Sequence, residues 1–375
     1  MKHLTGGVLL LLLAWPAARA DDKPKGEPTP KARYDALVKE HQKAQQEFFS
    51  ALRAASTPEE QQKKMAEASP ALEKVLAKFV ELAEKHPKDA VALDALQQVV
   101  SNGFVRGGPK GAKARAIELI LRDHVASGRL GPLCQQVGND FGVKNADLLR
   151  AILERNPDKG VQAEACLALA QHLQQQAEIA KRVADDADLA KRVEGLYGKE
   201  TVEGMRKADV AKLKADGEAM FQQLGEKHLA AFKADRLVTL CQRLGFSSDK
   251  GSESLLRTLM ERRDDRQVKG VACLTLAQVL KTRADETSEK DAKEADKLRK
   301  QAEGLFAQAA EKYGDVKMPF RGTVGDKAKG ELYEIRHLAV GKPAPEVEGE
   351  DQDGKKFKLA DYKGKVVLLD FWSQF

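Results

Sequence analysis

Four cysteines, Cys134, Cys166, Cys241 and Cys273, are the first residues in this 375-residue chain whose chemistry invites a function. A thiol can pair into a disulfide, hold zinc as a thiolate, or attack an electrophile once its pKa is lowered. Zinc is disfavoured by spacing, because no two of these cysteines fall within a ligand motif and no histidine is placed to complete one. Two readings stay open. Symmetric bridges Cys134–Cys166 and Cys241–Cys273 would each close a loop of about 30 residues and stabilise by about 3–4 kcal/mol in the chain-entropy model. The alternative is four small buried residues on helix faces.

The other constellations carry less. His41, His86, His124, His172, His228 and His337 stand singly with no nucleophile beside them, so they read as solvated or packing residues rather than bases. Gly107 to Lys113 puts glycine and lysine before a helix, but lacks the Gly-Lys-Ser/Thr order that a nucleotide loop uses to place a lysine and a metal-binding hydroxyl. Asp351-Gln352-Asp353-Gly354 begins like a calcium loop, yet the acidic ligand due further on is missing. No catalytic, cofactor-binding or metal-ligating residue is assigned.

The elements that would position these residues are mostly helical. Ala, Leu, Lys, Glu and Gln dominate the composition, and straight-chain residues lose little rotamer freedom in a helix. The net charge of +6 is spread over mixed-sign stretches with no basic stripe interleaved with aromatics, which argues against nucleic-acid binding. Lys2 and His3, the apolar run Val8 to Trp15 and the exit Ala18-Arg19-Ala20 read as a signal peptide over residues 1–20. That run falls short of the ~20 residues a membrane-spanning helix needs. The expected location is therefore the periplasm or cell envelope of a bacterium, with no integral membrane segment after cleavage. Residues 21–30 are a polar, proline-rich linker.

Helical text runs from Lys31 to about Ala55. Thr57-Pro58-Glu59-Glu60 then starts a second helix with a cap, a proline at the first position and a capping-box glutamate. The most informative internal feature is a duplication. Arg129 to Leu173 aligns without gaps on Arg236 to Leu280, with about twenty of some forty-five positions identical. Leu133-Cys134-Gln135 and Gly138 return as Leu240-Cys241-Gln242 and Gly245. Ala165-Cys166-Leu167 returns as Ala272-Cys273-Leu274. A weaker echo pairs Leu213, Glu218 and Phe221 with Leu298, Glu303 and Phe306 at a shorter offset, which places an insertion within Arg182 to Gly204 of the first copy. Small Ala/Cys/Leu faces suit close helix packing, so a helical-repeat body is expected over residues 31–338, TPR-like or superhelical, with copies at about 129–228 and 236–313. Only the segment Ala302 to Val316, ending Glu311-Lys312-Tyr313-Gly314-Asp315-Val316, resembles the second helix of a tetratricopeptide repeat. Its surface is a place where a protein partner could bind.

After residue 338 the period changes. Asp353-Gly354 between two short alternating runs signals a hairpin. Val366 to Trp372, a continuous apolar run behind Gly364, reads as a strand buried on both faces. Pro343-Ala344-Pro345, Asp353-Gly354, Gly364-Lys365 and the strand ending in Phe371-Trp372 together resemble the redoxin branch of the thioredoxin superfamily. That branch holds exported TlpA-like thiol–disulfide oxidoreductases and the AhpC/TSA-like peroxiredoxins. The resemblance implies that residues 339–375 are the opening hairpin and strand of a thioredoxin-like α/β domain. In TlpA-like members Phe-Trp runs on into a Cys-x-x-Cys whose first thiolate is stabilised at a helix N-terminus. Here Ser373-Gln374-Phe375 follows, so the chain is expected to lack the redox pair and to be inactive as an oxidoreductase. The rivals are a peroxiredoxin-like antioxidant peroxidase and a non-catalytic helical scaffold. The Phe371-Trp372 ending favours the disulfide chemistry.

Overall fold

The structure, a computed structural model, describes residues 27–102, 111–140, 144–247, 249–319, 322–339 and 341–371. The proposed signal peptide, Gly107 to Lys110, Val340 and Trp372 lie outside them. The described residues are mainly α-helical, with fifteen α-helices and one two-stranded hairpin. The chain divides into two units, Met1–Val99 and Val100–Phe375.

The first unit contains α1 (Pro30–Arg53), α2 (Pro58–Lys85) and most of α3 (Ala90–Val100). Thr57 accepts from the Glu60 amide at 3.2 Å, as its position implied. The Glu60 carboxylate reaches the Ser56 amide at 2.8 Å, one residue earlier than a standard capping box would place it. Phe48, Leu72, Leu76 and Phe79 form the centre of this unit. His41 is buried among them, with its Nδ1 3.1 Å from Gln98 Nε2 and its ring edge-on to Phe79. It is a packing residue.

The second unit is organised by two long helices, α7 (Lys159–Asp185) and α13 (Arg266–Thr287). Each is buried on most of its circumference, which is the mark of a helix surrounded by others. Around α7 pack α5 (Gly131–Gly138), α6 (Asn145–Arg155) and α10 (Val210–Gln223). Around α13 pack α11 (Ala234–Leu244), α12 (Lys250–Arg262) and α14 (Ala292–Tyr313). The short helix α4 (Ala112–Leu119) precedes the first group, and α15 (Val324–Tyr333) packs on α14 and α13 after the second.

Three local arrangements recur between the two groups. Cys166 Sγ donates to the Met220 carbonyl at 3.4 Å, and Cys273 Sγ donates to the Leu305 carbonyl at 3.4 Å. Asp158 caps α7 through the Val161 amide, and Asp265 caps α13 through the Val268 amide. At Gly138 an added Cβ would stand 3.0 Å from Ala168, and at Gly245 it would stand 3.0 Å from Thr275. Glycine at these two places lets α5 and α11 lie against their central helices. The groups differ where α8 (Ala187–Tyr197) and α9 (Lys199–Lys207) stand between α7 and α10, since α13 passes to α14 through a short turn. These extra helices bury Val193, Val202 and Met205 against Ala180 and Val183 in a small core of their own.

Three helices end in a π-turn, at Ile120–His124, Leu224–His228 and Glu334–Leu338. Amphipathic periodicity read off the sequence treats such ends as ordinary helix, because the π-turn is the last turn and no further α-helical turn follows to show the change of phase. No helix among the described residues is long and apolar enough to cross a membrane.

Candidate functional site

The C-terminal hairpin is built as its turn residues require. β1 (Glu348–Glu350) pairs antiparallel with β2 (Lys356–Lys358), with Gly349 opposite Phe357. Asp351 Oδ1 accepts from the amides of Asp353 at 3.0 Å and Lys355 at 2.9 Å, and Gly354 turns the chain at φ +76°. An L side chain seldom adopts that angle, which is why glycine follows the aspartate. Leu359 N donates to the Val347 carbonyl at 2.9 Å, and Asp361 caps the next turn through the Lys358 amide at 3.0 Å. Gly364, at φ +84°, then turns the chain beside Lys365, whose Nζ lies 5.9 Å from the Tyr362 ring centroid. Pro343, Ala344 and Pro345 lie on the approach to β1, with Pro345 half-buried.

The strand expected from Val366 onward does not form. Residues 366–371 join no ladder, and Val366, Leu368 and Phe371 are at least 90% exposed. The physical reason is that an apolar run becomes a buried strand only when neighbouring strands and covering helices are supplied. Nothing in the described residues supplies them, and the run lies open.

The cysteines are not assembled into a site. All four are free and fully buried, and no bridge joins Cys134 to Cys166 or Cys241 to Cys273. Burial pushes each thiol up to about 12. That is the opposite of what a nucleophilic or metal-binding thiolate requires. No group of histidine, cysteine, aspartate and glutamate among the described residues could hold a metal ion.

A buried polar cluster is the feature that spacing alone does not reveal. Lys113 on α4 pairs with Asp140, just past α5, and both are largely buried. Asn145 at the start of α6 is fully buried and donates to the carbonyls of Val137 at 3.2 Å and Asp140 at 2.9 Å. His172 on α7, 2% exposed, faces the carbonyls of Gly138 and Asp140. These side chains together satisfy the C-terminal end of α5. Asn145 Oδ1 and His172 Nδ1 have no hydrogen-bond partner. The duplication held a clue. The positions matching Asn145 and His172 are Ser252 and Val279, both buried, so His172 occupies an apolar slot.

Burial lowers His172 to about 4, outweighing the backbone carbonyls and Asp140, which raise it; Arg150 adds to the lowering. The unfolded chain, near 6.5, therefore binds more protons than the folded one across the interval between these values. The stability is fully present above that interval and is lost as pH falls through it. From about pH 7 to about pH 5 this one group should remove about 2 kcal/mol. His41, His124 and His228 are lowered by burial as well and act in the same sense. Urea unfolding at the two pH values, compared between the parent and His172→Val, isolates the His172 share. The variant should be flatter by that amount.

A cleft of about 790 Å³ lies along α11 and α13 and is closed on one side by Glu331 and Glu334. Its floor carries amides and hydroxyls, Gln242, Gln278, Thr239 and Thr275 among them. Phe246, 93% exposed, stands at its rim.

The AhpC/TSA family matches residues 340–375, about a tenth of the chain. This segment is redoxin-like. The match spans the Pro343-Ala344-Pro345 approach, the Asp353-Gly354 hairpin and the Gly364-Lys365 turn, so sequence pattern and backbone geometry coincide there. No curated protein and no solved structure matches the chain significantly.

Proposed function

We propose that the chain is an exported protein of the TlpA-like thiol–disulfide oxidoreductase type, in which a duplicated helical body holds a protein partner for a redoxin domain that opens at residue 340. The observation that carries this reading is the ordered series from Pro343 to Phe371, matched by the AhpC/TSA family, of which the part from Glu348 to Gly364 is folded into the expected hairpin and turns. The Phe371-Trp372 pair supports disulfide exchange over peroxide reduction within the redoxins. In that exchange a thiolate attacks a substrate disulfide, and a second thiol resolves the mixed disulfide.

Within these 375 residues the last cysteine is Cys273, and all four thiols are buried and protonated. The activity these residues support by themselves is binding, which favours a partner-holding scaffold as the second reading.

The deciding experiment compares the 375-residue chain with the same chain extended by whatever its coding sequence places after Phe375. Both are assayed for insulin-disulfide reduction with dithiothreitol. The shorter form should not exceed the dithiothreitol background. A Cys-x-x-Cys in the extension, with turnover above background, supports the oxidoreductase. A stop codon directly after Phe375 would sink that reading and leave the scaffold. Export is tested separately, by an envelope-located protein whose mature N-terminus is Asp21.

A further inference from the structure

We propose that the cleft along α11 and α13 docks an extended polypeptide segment of a partner protein, with a carboxylate of that segment facing Arg243; this deepens the partner-holding reading and rests on it. Along α13 the lining runs from Thr275 to Asp285, ten helical rises or about 15 Å. That length spans about four to five residues of extended chain.

The chemistry of the floor fits a peptide backbone. Gln242 and Gln278 are half-buried, and each primary amide can present a donor and an acceptor, which is what a peptide unit presents in return. Thr239 and Thr275 add hydroxyls that serve in either role. Gln135 and Gln171 stand at the corresponding positions of the first group, so the amide pair belongs to the duplicated framework.

The charges choose where a carboxylate of the partner can sit. Lys281 lies between Glu331 at 2.7 Å and Glu334 at 3.0 Å, a triad that keeps one negative charge, and Asp285 is held by Arg299 at 3.2 Å. Arg243 makes no ion pair among the described residues and is exposed. Arg243 is therefore the uncommitted cation among the described lining residues, suited to a carboxylate, while the Lys281 triad repels one at its own wall. Phe246, nearly fully exposed at the rim, offers an apolar face for a neighbouring side chain of the same segment. The far wall belongs to α15 and its π-turn, which precede the redoxin-like residues in the chain.

The test uses the full chain and labelled α-lactalbumin that has been reduced and carboxymethylated, a permanently extended and acidic probe, read by fluorescence anisotropy. Saturable binding is expected. Gln242→Ala with Gln278→Ala should weaken it by about tenfold or more, since the pair removes the amide donors and acceptors that meet the peptide backbone. Arg243→Ala should weaken it and reduce its salt dependence, and Phe246→Ala, a change at a solvent-exposed ring that leaves the fold intact, should weaken it too. Lys300→Ala on the outer surface of α14 should leave it unchanged. Binding that persists in all the cleft variants would overturn this site while leaving the partner-holding body standing. Absence of any binding to the full chain would overturn both. Stabilisation of the chain by small solutes that need the same cleft residues, with no binding of the extended probe, would also overturn it and mark a small-molecule site.

Discussion

Ellman's reagent is expected to titrate none of the four thiols of the native chain at about pH 8 in the time it needs to titrate all four in denaturant. Two independent barriers set this result. Cys134, Cys166, Cys241 and Cys273 have no solvent-exposed surface, so the reagent must wait for an opening of the helix that covers them. Each thiol is also raised by burial from 9.0 to about 12, which lowers the thiolate fraction by about a thousandfold. Thiolate is the attacking form, so the rates should fall with it, partly offset by the greater nucleophilicity of a more basic thiolate and lowered again by the lack of access. Cys166 and Cys273 are held further by their bonds to Met220 and Leu305. The titre in denaturant should be the same before and after reduction, because no bridge is present. A titre that rises on reduction would restore the symmetric bridges. One fast thiol in the native chain would show that its helix opens readily, and single Cys→Ser variants would identify it.

The features legible in the sequence are those whose cause is local. Thr57-Pro58 starts a helix because the cap and the proline act within one turn. Asp353-Gly354 turns a hairpin because the aspartate and the positive φ act within four residues. The duplication pairs Cys134 with Cys241 and Cys166 with Cys273, and the structure buries all four and gives Cys166 and Cys273 matching bonds to backbone carbonyls. The features that escaped depend on neighbours distant in sequence. The apolar run at Val366 has the composition of a central strand, but a strand needs partners for its amides, and here it is exposed. His172 looked like an isolated histidine until α5 and α6 brought Gly138, Asp140 and Asn145 to it. Lys113 ends a glycine-rich stretch in the sequence, whereas in the structure it lies in α4 and its role comes from Asp140, across an intervening helix. The glutamines of the cleft are carried by the duplication, but their role depends on α11 and α13 lying side by side.

Asp140→Ala should cost about 3–5 kcal/mol of stability, because it leaves the Lys113 ammonium buried without its counterion. The magnitude comes from the asymmetry between breaking a buried pair and replacing it. An ammonium that is 6% exposed cannot regain its hydration without moving α4, and the protein instead unfolds sooner or releases that helix. The same substitution removes a charge that favours protonated His172, so the pH dependence should steepen slightly on the acid side. The double variant Asp140→Ala with Lys113→Met separates the pair from its packing. With the stranded charge gone, most of the loss should be recovered, to within about 1–2 kcal/mol of the parent. Urea midpoints for the four members of this cycle give the coupling directly. Equal losses in Asp140→Ala and the double variant would mean that the carboxylate acts through the α5 end it shares with Asn145 and His172. Recovery assigns its role to the ion pair, and makes this cluster the clamp that fixes α4 to the first helical group.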